Sequence, residues 1–255
     1  MKSYLTSAFI IICLLSAGAV LAQNTMIRNG SIVFEKKVDV YSFLDTVGAI
    51  KGIGHIRERY ERTNPQFKST FFTLYFDAGR TLYEPSQQEA GSENEILDFI
   101  GQMASANIVY TDLTTHESVG LKSVMGNQFL IKDSVRRIHW KLKSDTRNIA
   151  GFHCRRADAV IMDSLYVIAF FCDQILPQGG PESLTGLPGM ILGAALPKRN
   201  ITWFATKLLT GQSNSTPIVP PVKEAPINND EFRKSLEKSL KDNPMRRIIL
   251  ENSLL

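Results

Sequence analysis

Between residues 30 and 210 the chain consists largely of short runs in which apolar and polar side chains alternate. The first run, residues 30–40, places four apolar side chains on one face of an extended segment, which is the pattern of a half-buried β-strand. Residues 71–76 and 80–83 are two more β-rich runs, and the turn-forming residues between them predict a hairpin. Further strands are predicted at 107–112, 118–124, 128–132, 136–143, 150–162, 165–174, 190–195 and 200–209.

These strands follow one another too closely for helical crossovers. Parallel neighbours need a connection of a dozen or more residues, so the spacing predicts antiparallel pairing. The fold class that follows is mainly β, of the α+β type. We expect a single curved antiparallel sheet, or half-barrel, with one or two helices packed on it. Residues 84–104 are polar and are predicted to form a loop or flap.

Helical periodicity is present in two places. From Phe43 to Tyr60 apolar residues recur every three or four positions, which predicts an amphipathic helix even though three glycines weaken it. A second helix begins at Asn229 or Asp230, where apolar side chains then recur four positions apart.

Four segments follow from these patterns. We predict a signal peptide over residues 1–22, an antiparallel β-domain over 23–210, a Pro/Ser-rich linker over 211–229 and a C-terminal helical segment over 230–255. The last segment is expected to pack on the β-domain. A partner-binding tail is the alternative for it.

The first 22 residues have the three parts of a cleavable signal peptide. Lys2 supplies the positive start, residues 9–15 form an apolar core, and Val20-Leu21-Ala22 presents small or aliphatic side chains before the cleavage point. A transmembrane anchor is the alternative, but polar residues interrupt the run and no basic cluster follows it. We therefore expect a secreted or periplasmic protein with no transmembrane span in the mature chain.

Cleavage removes Cys13 and leaves Cys154 and Cys172. If a hairpin turns at Asp163, each of these two cysteines is nine residues from the turn, and they oppose each other on neighbouring strands. Opposed positions bring Cβ atoms to about 4.5–5.5 Å, near the range of a disulfide. In an exported chain this pattern predicts a disulfide between Cys154 and Cys172, and two unpaired core thiols are the alternative.

Composition narrows the classes of function. A formal net charge of +4 is too small to favour nucleic acid as a partner. The four histidines lack metal-ligand spacing and no Cys/His zinc motif is present, so neither a metal nor a cofactor is predicted. No set of residues identifies a catalytic centre, and no catalytic residue is predicted.

The most distinctive stretch lies between about residues 135 and 195. Trp140-Lys141-Leu142 is followed by Ala150-Gly151-Phe152-His153-Cys154, then by Gly180-Pro181-Glu182 and by Gly186-Leu187-Pro188-Gly189-Met190-Ile191-Leu192. This stretch resembles the GLPGLI family of secreted Bacteroidetes proteins, and here Met190 replaces the second leucine of the motif for which the family is named. The resemblance implies an exported β-protein and supplies no activity.

The last part of that stretch supplies a candidate loop motif. Its residues are Gly180, Pro181, Gly186, Leu187, Pro188 and Gly189. Because glycine adopts positive φ and proline fixes a turn, the motif predicts a rigid connection with two bends, packed against the sheet. The alternative is that this loop forms the rim of a ligand cleft.

Three functions remain open. The leading hypothesis is a non-enzymatic envelope protein that binds a hydrophobic, lipidic or peptide-like ligand in a groove of the curved sheet, its partner being a hydrophobic small molecule or lipid, or another envelope protein. The second is an envelope hydrolase with acid–base residues on the 84–104 and 176–190 loops. The third is a structural or interaction module without a pocket. An apolar groove favours binding, whereas a small polar pocket with converging buried titratable groups favours catalysis.

Overall fold

A computed structural model describes residues 26–52, 55–86, 107–162, 164–210, 216–223 and 225–255. The predicted signal peptide lies outside the described residues, and residues 87–104 of the predicted loop or flap lie outside them too. Within the described part, eleven strands form one open antiparallel sheet with few helices, so the predicted fold class is confirmed. The strands are β1 (Gly30–Asp39), β2 (Phe67–Phe76), β3 (Arg80–Pro85), β4 (Ile108–Asp112), β5 (Glu117–Val124), β6 (Asn127–Ser134), β7 (Lys141–Ile149), β8 (Phe152–Ile161), β9 (Leu165–Cys172), β10 (Met190–Leu196) and β11 (Ile201–Thr210).

The first strand lies in the middle of the sheet. The strand order of the sheet is β6-β5-β4-β3-β2-β1-β11-β10-β9-β8-β7, so β1 pairs with β2 on one side and with β11 on the other. Two meanders therefore extend from β1 in opposite directions. The edge strand β7 also contacts β11, from which three strands separate it in the sheet, because the sheet curves.

One strand boundary was predicted wrongly. Residues 135–140 are irregular, and the strand predicted at 136–143 is instead β7, Lys141–Ile149. Eight of the nine side chains of the edge strand β7 are exposed, on both of its faces, so it has no alternation of apolar and polar residues to reveal it. The turn at Ala150-Gly151, where both residues have positive φ, then begins β8 at Phe152.

The described helices are α1 (Val40–Lys51), α2 (Ile56–Glu61), α3 (Asn229–Ser239) and α4 (Arg246–Ser253), and a single 3-10 turn spans Pro197–Arg199. The predicted helix over 43–60 is thus two helices. The first ends because Gly52 adopts a left-handed conformation with φ 68° and donates its N–H to the carbonyl of Gly48. No helix among the described residues has the length and apolar character needed to cross a membrane.

The two faces of the sheet pack against different parts of the chain. We call the face that presents Phe34, Phe72, Tyr83 and Trp203 the inner face, and it contains the main core. A second apolar core lies where this face, at β5 and β6, packs against α1, α3 and α4. At β5 and β6 the inner face is therefore covered by the chain's own helices.

Where the structure describes it, the predicted linker over 211–229 runs along the face of the sheet opposite to the inner face. Leu82 points away from the inner face because its neighbour Tyr83 points towards it, and Ile218 packs in the cluster that contains Leu82. The chain then passes the edge of β6, where the N–H of Ile227 donates to Leu130 O (2.9 Å). Asn228 begins α3 with a capping box formed with Glu231.

Candidate functional site

The six residues of the candidate loop motif lie between β9 and β10 and are mostly packed. Gly189 has φ 146°, and an added Cβ there would lie 2.1 Å from Cys172 O. At Gly180 an added Cβ would lie 2.8 Å from the Cβ of Ile191. Pro181 and Leu187 are buried, whereas Gly186 and Pro188 are exposed. The glycines thus allow the loop to approach the ends of β9 and β10 closely.

The same loop carries a buried carboxylate to the inner face. Glu182, which adopts φ 55°, lies 3.0 Å by Oε1 from Lys36 Nζ and accepts a hydrogen bond at Oε2 from Asn107 Nδ2 (2.9 Å). The Lys36 ammonium also lies 5.0 Å from the centre of the Trp203 ring. Sequence reasoning missed this pair, although the alternation in β1 places Lys36 on the same face as Phe34 and Val38 and therefore requires a partner for it.

Two aromatic polar groups adjoin this ion pair. Burial raises the pKa of Tyr83 well above its usual range, and the charge of Glu182 acts in the same direction. The indole of Trp203 opposes this shift. Neither Tyr83 Oη nor Trp203 Nε1 has a hydrogen-bond partner of good geometry among the described residues.

The predicted disulfide is not present. Arg155 pairs with Phe171, so Cys154 and Cys172 follow at the next opposed positions, as the hairpin spacing predicts. Both thiols are nevertheless free and buried. The opposed register brings the two side chains near each other but does not by itself form the bond. Burial, with a smaller contribution from Cys172, raises the pKa of Cys154 to about 12.

A small cavity, which we call the inner-face pocket, lies beside the Glu182 loop. It has a volume of about 40 Å³, and its polar lining includes Thr111, Lys122, Asp133, Arg136, Ser183 and Thr185. Lys122 Nζ donates to Ser253 O (3.0 Å), and Arg136 Nη2 donates to Leu254 O (2.5 Å). Ser183 Oγ donates to Leu255 O. The end of α4 and the two residues after it are therefore held against this pocket through three successive carbonyl groups.

The inner-face pocket strongly affects one lysine. The pKa of Lys122 is lowered to about 8, mainly by burial; the charge of Glu182 opposes this shift, and the charges of Arg136 and Lys36 add to it. Asp133 adds a carboxylate to the lining, but its oxygens accept hydrogen bonds from Asn229 and Ser134. Those hydrogen bonds outweigh its burial and lower the pKa of Asp133.

A larger cavity, which we call the helix cavity, lies where α1 and α4 meet the beginning of β9 and the 3-10 turn. Its volume is about 290 Å³. Leu165 and Ile248, which are almost completely buried, supply apolar lining, and Ile50 of α1 adds to it. Charged groups complete the lining: Lys198, Arg199, Arg247 and Glu251.

The charged groups of the helix cavity are organised around Glu251. Arg247 is four residues earlier on α4, on the same face, and its Nε donates to Glu251 Oε1 (2.9 Å). Arg199 binds the other carboxylate oxygen by Nη2. Burial alone would raise the pKa of Glu251, but these two arginines outweigh it and lower the pKa. Arg199 Nε is buried without a hydrogen-bond partner among the described residues.

The described residues contain no group of three or more His, Cys, Asp or Glu side chains placed to hold a metal ion. The chemistry that the two cavities offer is that of hydrogen-bond donors and positive charge. Neither cavity is lined by the six residues of the loop motif. Sequence reasoning did not identify the arginines of the helix cavity, because Arg199 and Arg247 are separated along the chain and neither belongs to a motif.

No protein-family model matches this sequence, and no curated protein matches it. Two of the solved structures that match it are structures of PNGF-II. PNGF-II in space group P21 has a TM-score of 0.51 and 13% identity over 83% of this chain and 34% of the PNGF-II chain. PNGF-II in space group C2 has a TM-score of 0.46 and 12% identity over 76% and 31% of the two chains. The chain spans about a third of the length of PNGF-II, and at this identity the first similarity shows the fold alone.

Proposed function

We propose that this protein is an exported, non-enzymatic envelope protein that binds a small amphipathic anion in the helix cavity. The ligand class is an aliphatic chain that ends in a carboxylate. The observation that carries the proposal is the buried Arg199 Nε, which has no partner among the described residues and belongs to a cavity with apolar lining. An unpartnered buried donor is unfavourable, and a ligand oxygen would satisfy it.

The charge of the helix cavity favours an anion. Its described lining contains three cations, Lys198, Arg199 and Arg247, against the single carboxylate of Glu251. Glu251 is already bound by both arginines and therefore compensates only one of these charges. The side chain of Arg247 is 73% exposed, so it is free to turn towards a ligand carboxylate at the cavity entrance.

The size and apolar lining of the helix cavity restrict the ligand. Ligand pockets usually measure roughly 300–1,000 Å³, and this cavity lies at the small end of that range at about 290 Å³. Burial of one methylene contributes about 0.8 kcal/mol, so two more methylenes should strengthen binding by roughly tenfold while they still fit. We expect a chain of moderate length rather than a large lipid.

The position of the helix cavity refines the groove expected from the sequence. The apolar inner face of the sheet is covered at β5 and β6 by α3 and α4. The helix cavity is instead enclosed by α1, α4, the 3-10 turn and the beginning of β9. Export is supported by the pattern of residues 1–22 and by the resemblance to the GLPGLI family.

The hydrolase hypothesis is less well supported. On the 176–190 loop, both carboxylate oxygens of Glu182 already have partners in Lys36 and Asn107. On the described beginning of the 84–104 segment, Glu84 points to the opposite face of the sheet because its neighbour Tyr83 points inward. Glu84 and Glu182 therefore do not converge on one reaction site.

Calorimetric titration of the protein with octanoate tests the proposal. We expect saturable binding, roughly tenfold tighter for octanoate than for hexanoate, and no comparable binding of octanol or octylamine. Arg199→Gln and Arg247→Gln should each weaken octanoate binding. Lys238→Gln, which alters an exposed charge on α3, is the matched control.

Two results would overturn the proposal. One is the absence of saturable octanoate binding to a protein whose circular dichroism shows it to be folded. The other is equal binding of octanol and octanoate, because that would remove the role assigned to the arginines. The Arg247→Gln variant guards against a folding defect, since the side chain it replaces is largely exposed.

A further inference from the structure

The inner-face pocket contains more donors than the described residues use. Arg136 Nη1 and Thr185 Oγ1 are buried and have no hydrogen-bond partner there. Lys122 has three N–H donors, and the structure directs one of them to Ser253 O. Thr185 and Lys122 are only 4% and 6% exposed, so bulk solvent does not satisfy these groups.

The charge of this pocket indicates the kind of ligand. Lys122 and Arg136 contribute two positive charges to the described lining, and Asp133 contributes one negative charge that is engaged by Asn229 and Ser134. Lys36 and Glu182, which lie nearby, neutralise each other. The net charge of these groups is therefore one positive charge. The cavity has a volume of about 40 Å³, enough space for about three water molecules.

We propose that Lys122, Arg136 and Thr185 form a second binding site, on the inner face of the sheet, for a compact monoanion such as a short carboxylate. The anion accepts hydrogen bonds from Arg136 Nη1, from the Thr185 hydroxyl and from a remaining donor of Lys122. A guanidinium and an ammonium in a closed space bind an anion more strongly than they do in water.

The site has a structural consequence for the end of α4 and the residue after it. Lys122 and Arg136 also hold the carbonyl groups of Ser253 and Leu254. An anion that fixes these two side chains favours the docked position of Ser253 and Leu254. Binding at the inner-face pocket is therefore coupled to the docking of this segment.

Thr185→Val provides the most specific test. The Thr185 hydroxyl has no hydrogen-bond partner among the described residues, so its replacement by a methyl group should not lower the stability of the unliganded protein. It should weaken anion binding by about tenfold, because a hydrogen bond to a charged group is lost. Arg136→Gln should abolish binding, and Arg137→Gln, at the exposed neighbouring position, should leave it unchanged.

The measurements use acetate and bromide as probes. Thermal unfolding is followed as acetate replaces gluconate, which is too large for the pocket, at constant ionic strength. We expect a saturable rise in Tm in the wild-type protein and a weaker one in Thr185→Val. In crystals grown with bromide, anomalous scattering should place the ion between Arg136 and Thr185.

Identical melting curves in acetate and gluconate would refute the inference, and so would bromide found only at the surface. Octanoate binding at the helix cavity should be unaffected by Thr185→Val. Failure at one site is thus distinguishable from failure at the other.

Discussion

Lys36 Nζ lies 3.0 Å from Glu182 Oε1, and the two side chains are only 5% and 1% exposed. This ion pair joins the central strand β1 to the loop between β9 and β10, across 146 positions of sequence. Asn107 binds the second oxygen of the carboxylate from the residue before β4. One buried acidic side chain therefore fixes the loop to the central strand and to the beginning of β4.

Glu182→Gln is expected to lower the free energy of unfolding by about 3–5 kcal/mol, because the buried Lys36 ammonium loses its carboxylate. Urea denaturation measures this change. The double variant Lys36→Met, Glu182→Leu should be much closer to the wild type, since it removes both charges together. A single variant as stable as the wild type would show that the pair contributes nothing to folding.

Comparison of Gly189→Ala with Gly186→Ala separates the effect of close packing on stability from the effect of a positive φ within one loop. Both glycines have positive φ, but a Cβ at Gly189 would lie 2.1 Å from Cys172 O, whereas at Gly186 its nearest neighbour is Trp140 Nε1 at 3.8 Å. We expect about 1 kcal/mol of destabilisation for Gly186→Ala and at least about 2 kcal/mol more for Gly189→Ala. Thermal or urea unfolding tests this order, which equal effects would contradict.

The thiols of Cys154 and Cys172 should be unreactive in the folded protein. Both are buried, and burial raises the pKa of each, that of Cys154 to about 12, so the thiolate is scarce at neutral pH. In a Cys13→Ser background, a thiol-disulfide reagent should label neither cysteine in buffer and both in denaturant. Rapid labelling without denaturant would contradict the packing described for β8 and β9.

Lys122 should give the stability a specific pH dependence. Its pKa in the folded protein is about 8, below the ordinary value of 10.5, so between these values the unfolded chain binds more protons. The contribution of Lys122 to the free energy of unfolding therefore rises from pH 8 to pH 10.5, by at most about 3 kcal/mol.

Comparison with Lys122→Met isolates this contribution, because other groups that titrate in the same range are common to both proteins. Arg136, Lys36, Glu182 and Asp133 are the charged groups around Lys122, and all four remain in the variant. The stability of the wild type relative to the variant should increase from pH 8 to pH 10.5. A constant difference would mean that Lys122 keeps an ordinary pKa.

The strand pattern made much of the sheet predictable. In β1 every second residue is buried, and the same alternation that placed Phe34 in the core also placed Lys36 there. The edge strand β7 was misplaced because exposure on both faces leaves no alternation in its sequence. Gly52 divided the predicted helix over 43–60 because a left-handed residue ends an α-helix.

The antiparallel class, the opposed register of Cys154 and Cys172, and the sharp bends at Gly180 and Gly189 were predictable from the sequence, since each depends on residues close along the chain. The folded chain was needed to reveal that Glu182 meets Lys36, that the cysteines remain thiols, and that Arg199 lies beside Glu251. These relationships depend on the path of whole loops and on fractions of an ångström between strands. Alternation specifies which face a side chain occupies, but not which distant group it meets there.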